Sequence, residues 1–363
     1  MVPQKGLTSG TSQLSTDSDA GFDIIVCPPS RENPRNSEAD VIELRDGRLL
    51  LAYTEFYGGD ISDHAPARIV GKMSHDGGRT WSDRFTLVEN TGSMNVMSAS
   101  LIRLRTGELG MVYLRKNSLS DCRGFLRKSI HEGRTWSEPV CCTPLRVYHS
   151  VNNARVIRLR DDRILIPAAY TPDIGKRDYH LRSCCYYSDD NGTRWRKGMD
   201  VDIGGVGADE PAVVELKDGS VLMLIRTNLG RVYKAVSHDG GVVFSEPEPT
   251  DLAAPSSPSS VKRIPSARDL LVVWNNSTSR RVPLTVAISS DDGETWSHVK
   301  DLETQPTHRE VSPSDGYAYT SITFIKDRVL FTYYVAGVPA EGVAGNNTWA
   351  LKFRSMPVKW FYE

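Results

Sequence analysis

One pattern, Ser-x-Asp-x-Gly-x-Thr-Trp, returns along the chain at intervals of about 50 to 60 residues, and a period of that length is the signature of propeller or solenoid architecture. Two copies are complete: Ser74, Asp76, Gly78, Thr80 and Trp81, then Ser289, Asp291, Gly293, Thr295 and Trp296. Three are degenerate. Ser129 to Trp136 carries His131 in place of Asp, Ser188 to Trp195 carries Arg194 in place of Thr, and Ser237 to Phe244 ends in Phe in place of Trp. An apolar strand ends at the Ser, Asp and Gly form a tight turn, and the aromatic residue returns to the core. Recurrence in equivalent places makes these carboxylates architectural rather than catalytic.

A second repeat predicts the number of structural units. Hairpin sequences of β-rich character occur over residues 41–53, 101–113, 156–168, 213–225, 261–274 and 322–334, several with Asp-Gly, Thr-Gly or Asp-Asp at the tip. Helical periodicity is nowhere sustained. The expectation is an all-β, six-bladed β-propeller with Asp-box repeats, one domain over residues 21–363 behind a flexible tail of residues 1–20. Extended segments at 22–28 and 350–360 are expected to pair and close the ring, which removes exposed sheet edges.

Composition narrows the function classes. The 363 residues hold 44 Lys plus Arg against 45 Asp plus Glu, a formal charge of -1, so there is no basic surplus to attract nucleic acid or anionic lipid. Any anion recognition must be local. No apolar run is long enough to span a bilayer and no secretory leader is visible; the expected location is cytoplasmic or, if a leader was removed, periplasmic or secreted. Cys27, Cys122, Cys141, Cys142, Cys184 and Cys185 have neither a disulfide-framework nor a zinc spacing and are read as reduced thiols. His64, His149, His180 and His308 are read as loop residues with no metal-binding pattern. No cofactor and no metal are expected, and the oligomeric state is open.

Polar residues where inner strands begin or blades join form the candidate site: Arg35, Glu38, Glu55, Asp60, Asp63, Met94, Asn95, Asn153, Glu210, Arg226, Arg280, Arg281, Tyr317 and Tyr319. Arginines from three separated blades, converging on one point, suit a carboxylate, phosphate or sulfate through bidentate charge-assisted hydrogen bonds.

In order and context these residues resemble the sialidase (neuraminidase) superfamily, in its branch of six-bladed propellers with Asp boxes. The similarity runs from about Arg35 to Tyr334. It is carried by Arg35, by the Ala52-Tyr53-Thr54-Glu55 turn, by Asp63-His64-Ala65 ahead of the first repeat, by Asp209-Glu210, by Arg226-Thr227, by Arg281 ahead of Leu284, and by Tyr319-Thr320-Ser321. The resemblance implies a retaining exo-glycosidase for sialic acid or a related 2-keto acid sugar. Arg35, Arg226 and Arg281 would clamp the carboxylate, Tyr319 with Glu210 as base would attack the anomeric carbon, and Asp63 would serve as acid and base. Glu55 would hold Arg35 by an ion pair, and Met94 and Asn95 would line an acyl-amino pocket. A neutral phenol avoids the repulsion that a carboxylate nucleophile would meet beside the substrate's own carboxylate.

Asp60 competes with Asp63, and Arg280 with Arg281. The chain also departs from the family pattern: Arg35 is followed by Asn36-Ser37-Glu38 where Ile-Pro is usual, and Tyr333-Tyr334 stands where Tyr-Glu is frequent. Two other readings keep the acidic-glycan site: a lyase or hydrolase for a uronic glycan, and a propeller that binds an acidic glycan without turnover.

Overall fold

The computed structural model describes residues 21–205, 207–305 and 315–363; the predicted tail and His308 lie outside the described residues. The described residues form strands and two short 3-10 turns, Ala344–Asn346 and Val358–Phe361, with no α-helix among them. All six predicted hairpins form as antiparallel ladders. In two of them the second strand is buried throughout: every residue of Leu49–Phe56 and of Leu270–Asn275 is buried, as expected for strands covered on both faces.

The strands fall into four sheets. One eight-stranded sheet contains both ends of the described chain, because Phe22–Cys27 pairs antiparallel with Trp349–Pro357 as the sequence predicts. Within it the strand Trp349–Pro357 meets Arg35–Glu43 through a single parallel pair, Arg35 with Trp349. A nine-stranded sheet is likewise joined at one pair, Tyr148 with Cys122. Asp209–Ala253 and Ser260–Glu303 supply two four-stranded sheets. Apolar side chains of adjacent sheets interlock between them, as where Leu126, Ile166 and Tyr186 share one cluster with Phe56. This all-β arrangement fits a β-propeller.

The repeated pattern makes the same turn each time. Ser74 Oγ donates to Asp76 Oδ1 at 2.9 Å and accepts from Gly78 N at 2.9 Å, while Asp76 accepts from Thr80 N at 2.9 Å and Thr80 Oγ1 at 2.7 Å. Around Ser289 the bonds are equivalent. Trp81 then packs edge-on to Phe353, with ring centroids 5.3 Å apart, and ties the turn to the neighbouring strand.

A second recurrent device positions the site. In four inner strands the ladder breaks so that two residues face one: between Ser37 and Asp40, Met97 and Ser100, Asp209 and Ala212, and Ala318 and Ser321. A residue of positive φ sits in each break: Glu38 at 55°, Ser98 at 62°, Glu210 at 38° and Tyr319 at 58°. A bulge re-aims one side chain without ending the strand, and positive φ on a non-glycine residue costs about 1–3 kcal/mol. Three of these four strained positions, Glu38, Glu210 and Tyr319, hold candidate site side chains that strict strand alternation would have sent elsewhere.

Candidate active site

The bulges of two non-adjacent strands bring Tyr319 and Glu210 together: Tyr319 Oη donates to Glu210 Oε1 at 3.0 Å. Arg226 Nη1 donates to the other carboxylate oxygen of Glu210, and the Arg226 Nε and Nη2 groups both reach Ser256 Oγ, at 3.2 and 3.1 Å. Burial and the Glu210 charge push the Tyr319 phenol well above its ordinary value, against the pull of Arg281 and Arg226. Tyr319 is therefore a neutral phenol whose proton already has an acceptor. Burial and the charge of the adjacent Glu210 raise the Asp209 carboxyl above its ordinary value.

Arg35 is 1% exposed, and its guanidinium is stacked between the rings of Phe56 and Trp349, at 4.1 and 4.3 Å. Its edges are occupied too. Nε donates to Ser37 Oγ at 3.0 Å, Nη1 to Ile61 O at 2.9 Å and Asp63 Oδ1 at 2.6 Å, and Nη2 to Glu38 Oε1 at 2.8 Å. Burial alone would raise the Asp63 carboxyl, but Arg35, with a contribution from Lys116, holds it down at about 2. Asp60 instead accepts from Ser62 N at 2.9 Å within the loop, so Asp63 is the carboxylate that reaches the arginine.

Two expectations are corrected here. Glu55 does not pair with Arg35. Strand alternation explains why: Arg35 lies opposite Phe56, so Glu55, opposite Asn36, points to the other face, where it pairs with Arg68 at 2.7 Å and Arg84 at 2.9 Å. Asn95 does not line an open pocket either. It is fully buried, and its Nδ2 donates to Asp63 O at 3.0 Å and Ala65 O at 2.8 Å, which fastens the loop that carries Asp63. Met94, half-buried beside it, is held through its backbone N to Lys116 O at 3.0 Å.

Arg281 is buried, whereas Arg280 is exposed. Arg281 Nη1 donates to Tyr334 Oη at 2.6 Å and Nη2 to Ser256 O at 3.2 Å, so Ser256 joins two arginines of the site. Tyr317 points away, donating from its hydroxyl to Gln305 O at 3.1 Å. His149 is corrected from a loop to a strand position, buried, with Nδ1 against Cys122 O at 2.9 Å and Nε2 against Tyr186 Oη at 2.8 Å; burial lowers it to about 4. No cluster of His, Cys, Asp and Glu that could hold a metal occurs among the described residues, and all six cysteines are free thiols.

Several contributors escaped the sequence reading. Lys116, fully buried, donates from Nζ to Asp63 O at 2.6 Å. Arg155 donates to Ser260 Oγ at 2.9 Å, and Ser260 in turn donates to Thr320 O at 2.6 Å beneath the nucleophile candidate; burial brings this guanidinium down to about 10. Asn153, a candidate from sequence, donates from Nδ2 to Ala39 O at 2.6 Å and Tyr319 O at 3.0 Å, latching the bulges of Glu38 and Tyr319 together. An Asn-Asn pair ahead of a hairpin, at the place other inner strands break, was the only signal available.

Residues 47–331 match the BNR repeat-like domain family. The chain is 27% identical to a sialidase of Micromonospora viridifaciens over 84% of its own length and 50% of that protein's, and 23% identical to a sialidase of Bacteroides fragilis over 82% and 59%. It thus spans between half and three fifths of the length of these relatives. Among solved structures, a Dyadobacter fermentans protein of unknown function superposes with a TM-score of 0.74 at 19% identity, covering 92% of this chain and 98% of that one. The Hadza microbial sialidase superposes at 0.72 and 17% identity, covering 91% and 66%, and the NanB sialidase of Streptococcus pneumoniae at 0.71 and 15%, covering 93% and 70%. At such identities the structures establish a shared fold.

Proposed function

Because this chain belongs to the sialidase superfamily, with BNR repeats over most of its length, we propose that it is a retaining exo-glycoside hydrolase that releases terminal sialic acid or a related 2-keto acid sugar. The observation that carries the reading is the bond from Tyr319 Oη to Glu210 Oε1 at 3.0 Å, in a cleft that Asp63 also lines. The proposed architecture is a ring of six blades, with the two ends of the chain sharing one.

In the proposed first step, Tyr319 Oη bonds to the anomeric carbon as Glu210 takes its proton and Asp63 gives a proton to the departing glycosidic oxygen. In the second, Asp63 removes a proton from water, the new C–O bond forms, and Tyr319 leaves and recovers its proton from Glu210. Arg226, Arg281 and Arg35 bind the substrate carboxylate. Four of the five N–H groups of Arg35 are engaged, so a two-pronged grip on the substrate requires it to release a partner, and Asp63, whose side chain is 60% exposed, is the one proposed to leave. That exchange suits the chemistry: an Asp63 freed from Arg35 regains the proton affinity that a general acid requires.

Glu38 supports a second reading, in which the acid sugar differs from sialic acid, because it places an additional carboxylate against Arg35. An aryl α-sialoside assay separates the possibilities. Turnover by the wild type, its loss in Tyr319→Phe, and a first-formed anomer of retained configuration by NMR support the proposal. Binding without turnover on any sialoside, or an unsaturated product absorbing in the ultraviolet, would sink it.

A further inference from the structure

Beside the reacting groups lies a niche of about 60 Å³, lined by Glu38, Asp63, Ser98, Asn152, Glu210 and Tyr319 among others. Two residues of its wall carry buried polar atoms with no partner: Glu38 Oε2 and Asn152 Nδ2. Both side chains are nearly sealed from solvent, with exposures of 2% for Glu38 and 3% for Asn152. Unmet buried polar atoms are rare in folded proteins because each forfeits its hydration, and two in one niche indicate a group that completes them.

The chemistry of the pair selects that group. Glu38 Oε2 is an acceptor and Asn152 Nδ2 a donor, so the missing partner must both donate and accept, as a hydroxyl does. A carboxylate is excluded by the carboxylates of Glu38, Asp63 and Glu210 in the same wall. An acyl methyl would leave both atoms unmet. The volume agrees: about 60 Å³ is well above the roughly 10–15 Å³ that admits one water, which leaves room for a hydroxyl and the carbon that bears it.

We propose that this niche is a subsite for a hydroxyl on the carbon next to the anomeric centre, and that the preferred substrate is an acid sugar hydroxylated where sialic acid has a methylene. The position follows from the neighbours, since Tyr319 and Asp63 act at the anomeric carbon and its leaving oxygen, and only a substituent one bond away reaches the space they border. Glu38 is thereby the specificity-determining residue, held in place by Arg35 at 2.8 Å and by its bulge at a φ of 55°. This subsite rests on the acid-sugar reading proposed above.

Binding of free acid sugars, measured by calorimetry on the full chain, tests it without interference from inductive effects on turnover. Sialic acid is compared with its two 3-hydroxy epimers. One epimer is expected to bind about 10- to 100-fold more tightly than sialic acid, because the site's polar atoms stay unpaired with the methylene compound. That ratio is expected to fall towards one in both Glu38→Gln and Asn152→Ser, the second variant standing in if the first does not fold. Epimers that bind no more tightly than sialic acid, or a preference that survives both substitutions, overturn the subsite. Failure of all three sugars to bind overturns the acid-sugar reading itself.

Discussion

Asp63 is held at two ends that serve different purposes. Its carboxylate faces Arg35 at 2.6 Å, and its backbone carbonyl accepts from Lys116 Nζ at 2.6 Å and Asn95 Nδ2 at 3.0 Å, so the loop stays fixed while the side chain can exchange partners. On a glycan with a poor leaving group, Asp63→Ala is expected to lose about 10²- to 10⁴-fold in kcat/KM. With an aryl leaving group, which departs without a proton, the loss should be far smaller. Parallel kinetics on the two substrates check this, and equal losses would deny Asp63 the role of acid. Its ionisation also enters stability. The carboxyl is lowered from 3.8 to about 2, so its contribution, reduced by solvent screening because the side chain is 60% exposed, is present above pH 4 and is lost as pH falls towards 2. Asp40 acts in the opposite sense. Burial raises it to about 6, so its charging destabilises the fold as pH rises from 4 to 6. Thermal melts across pH 2 to 7 should show that fall between 4 and 6 in the wild type and a flatter profile in Asp40→Asn; an unchanged slope would remove Asp40 as its source.

The recurring elements divide into turns that fasten and bulges that aim, and substitutions should respect the division. Asp291→Ala removes bonds to Ser289 Oγ at 2.8 Å and Thr295 N at 2.9 Å, an expected cost of about 1–2 kcal/mol with kcat unchanged once folded. Gly78→Ala should cost more, because the position has a φ of 93° and an added Cβ would meet Phe353 Cζ at 2.3 Å. Denaturant melts of the two variants check the order. Both devices were not equally legible in sequence. The turns were, since Ser, Asp, Gly and Trp each have a fixed task there. The bulges were not: nothing in Ser37-Glu38-Ala39 or Ala318-Tyr319-Thr320 announces positive φ, and without it alternation misassigns which side chains meet. Glu55 failed for the same reason, as its order in the chain suggested a partner that its face of the strand forbids.

At the scale of the whole molecule, the near-neutral charge of -1 leaves any anion recognition to local groups, and the three arginines proposed for it were legible in sequence because they come from well-separated stretches of the chain. Their individual partners were not, since Arg35 with Asp63 spans 28 residues and Tyr319 with Glu210 spans 109. The pairing of Phe22–Cys27 with Trp349–Pro357 makes the site depend on the chain's far ends, because Trp349 also stacks on Arg35. Deletion of residues 21–27 is therefore expected to lower both the melting temperature and affinity for an acid sugar, whereas loss of stability alone would uncouple this strand pairing from the site. The proposed chemistry turns on one oxygen atom, Tyr319 Oη. Incubation with a fluorinated, mechanism-based sialosyl donor followed by peptide mass spectrometry should place the covalent sugar on Tyr319, and Glu210→Gln should form that adduct more slowly. An adduct on any other residue, or inversion at the anomeric carbon with no adduct, would contradict it.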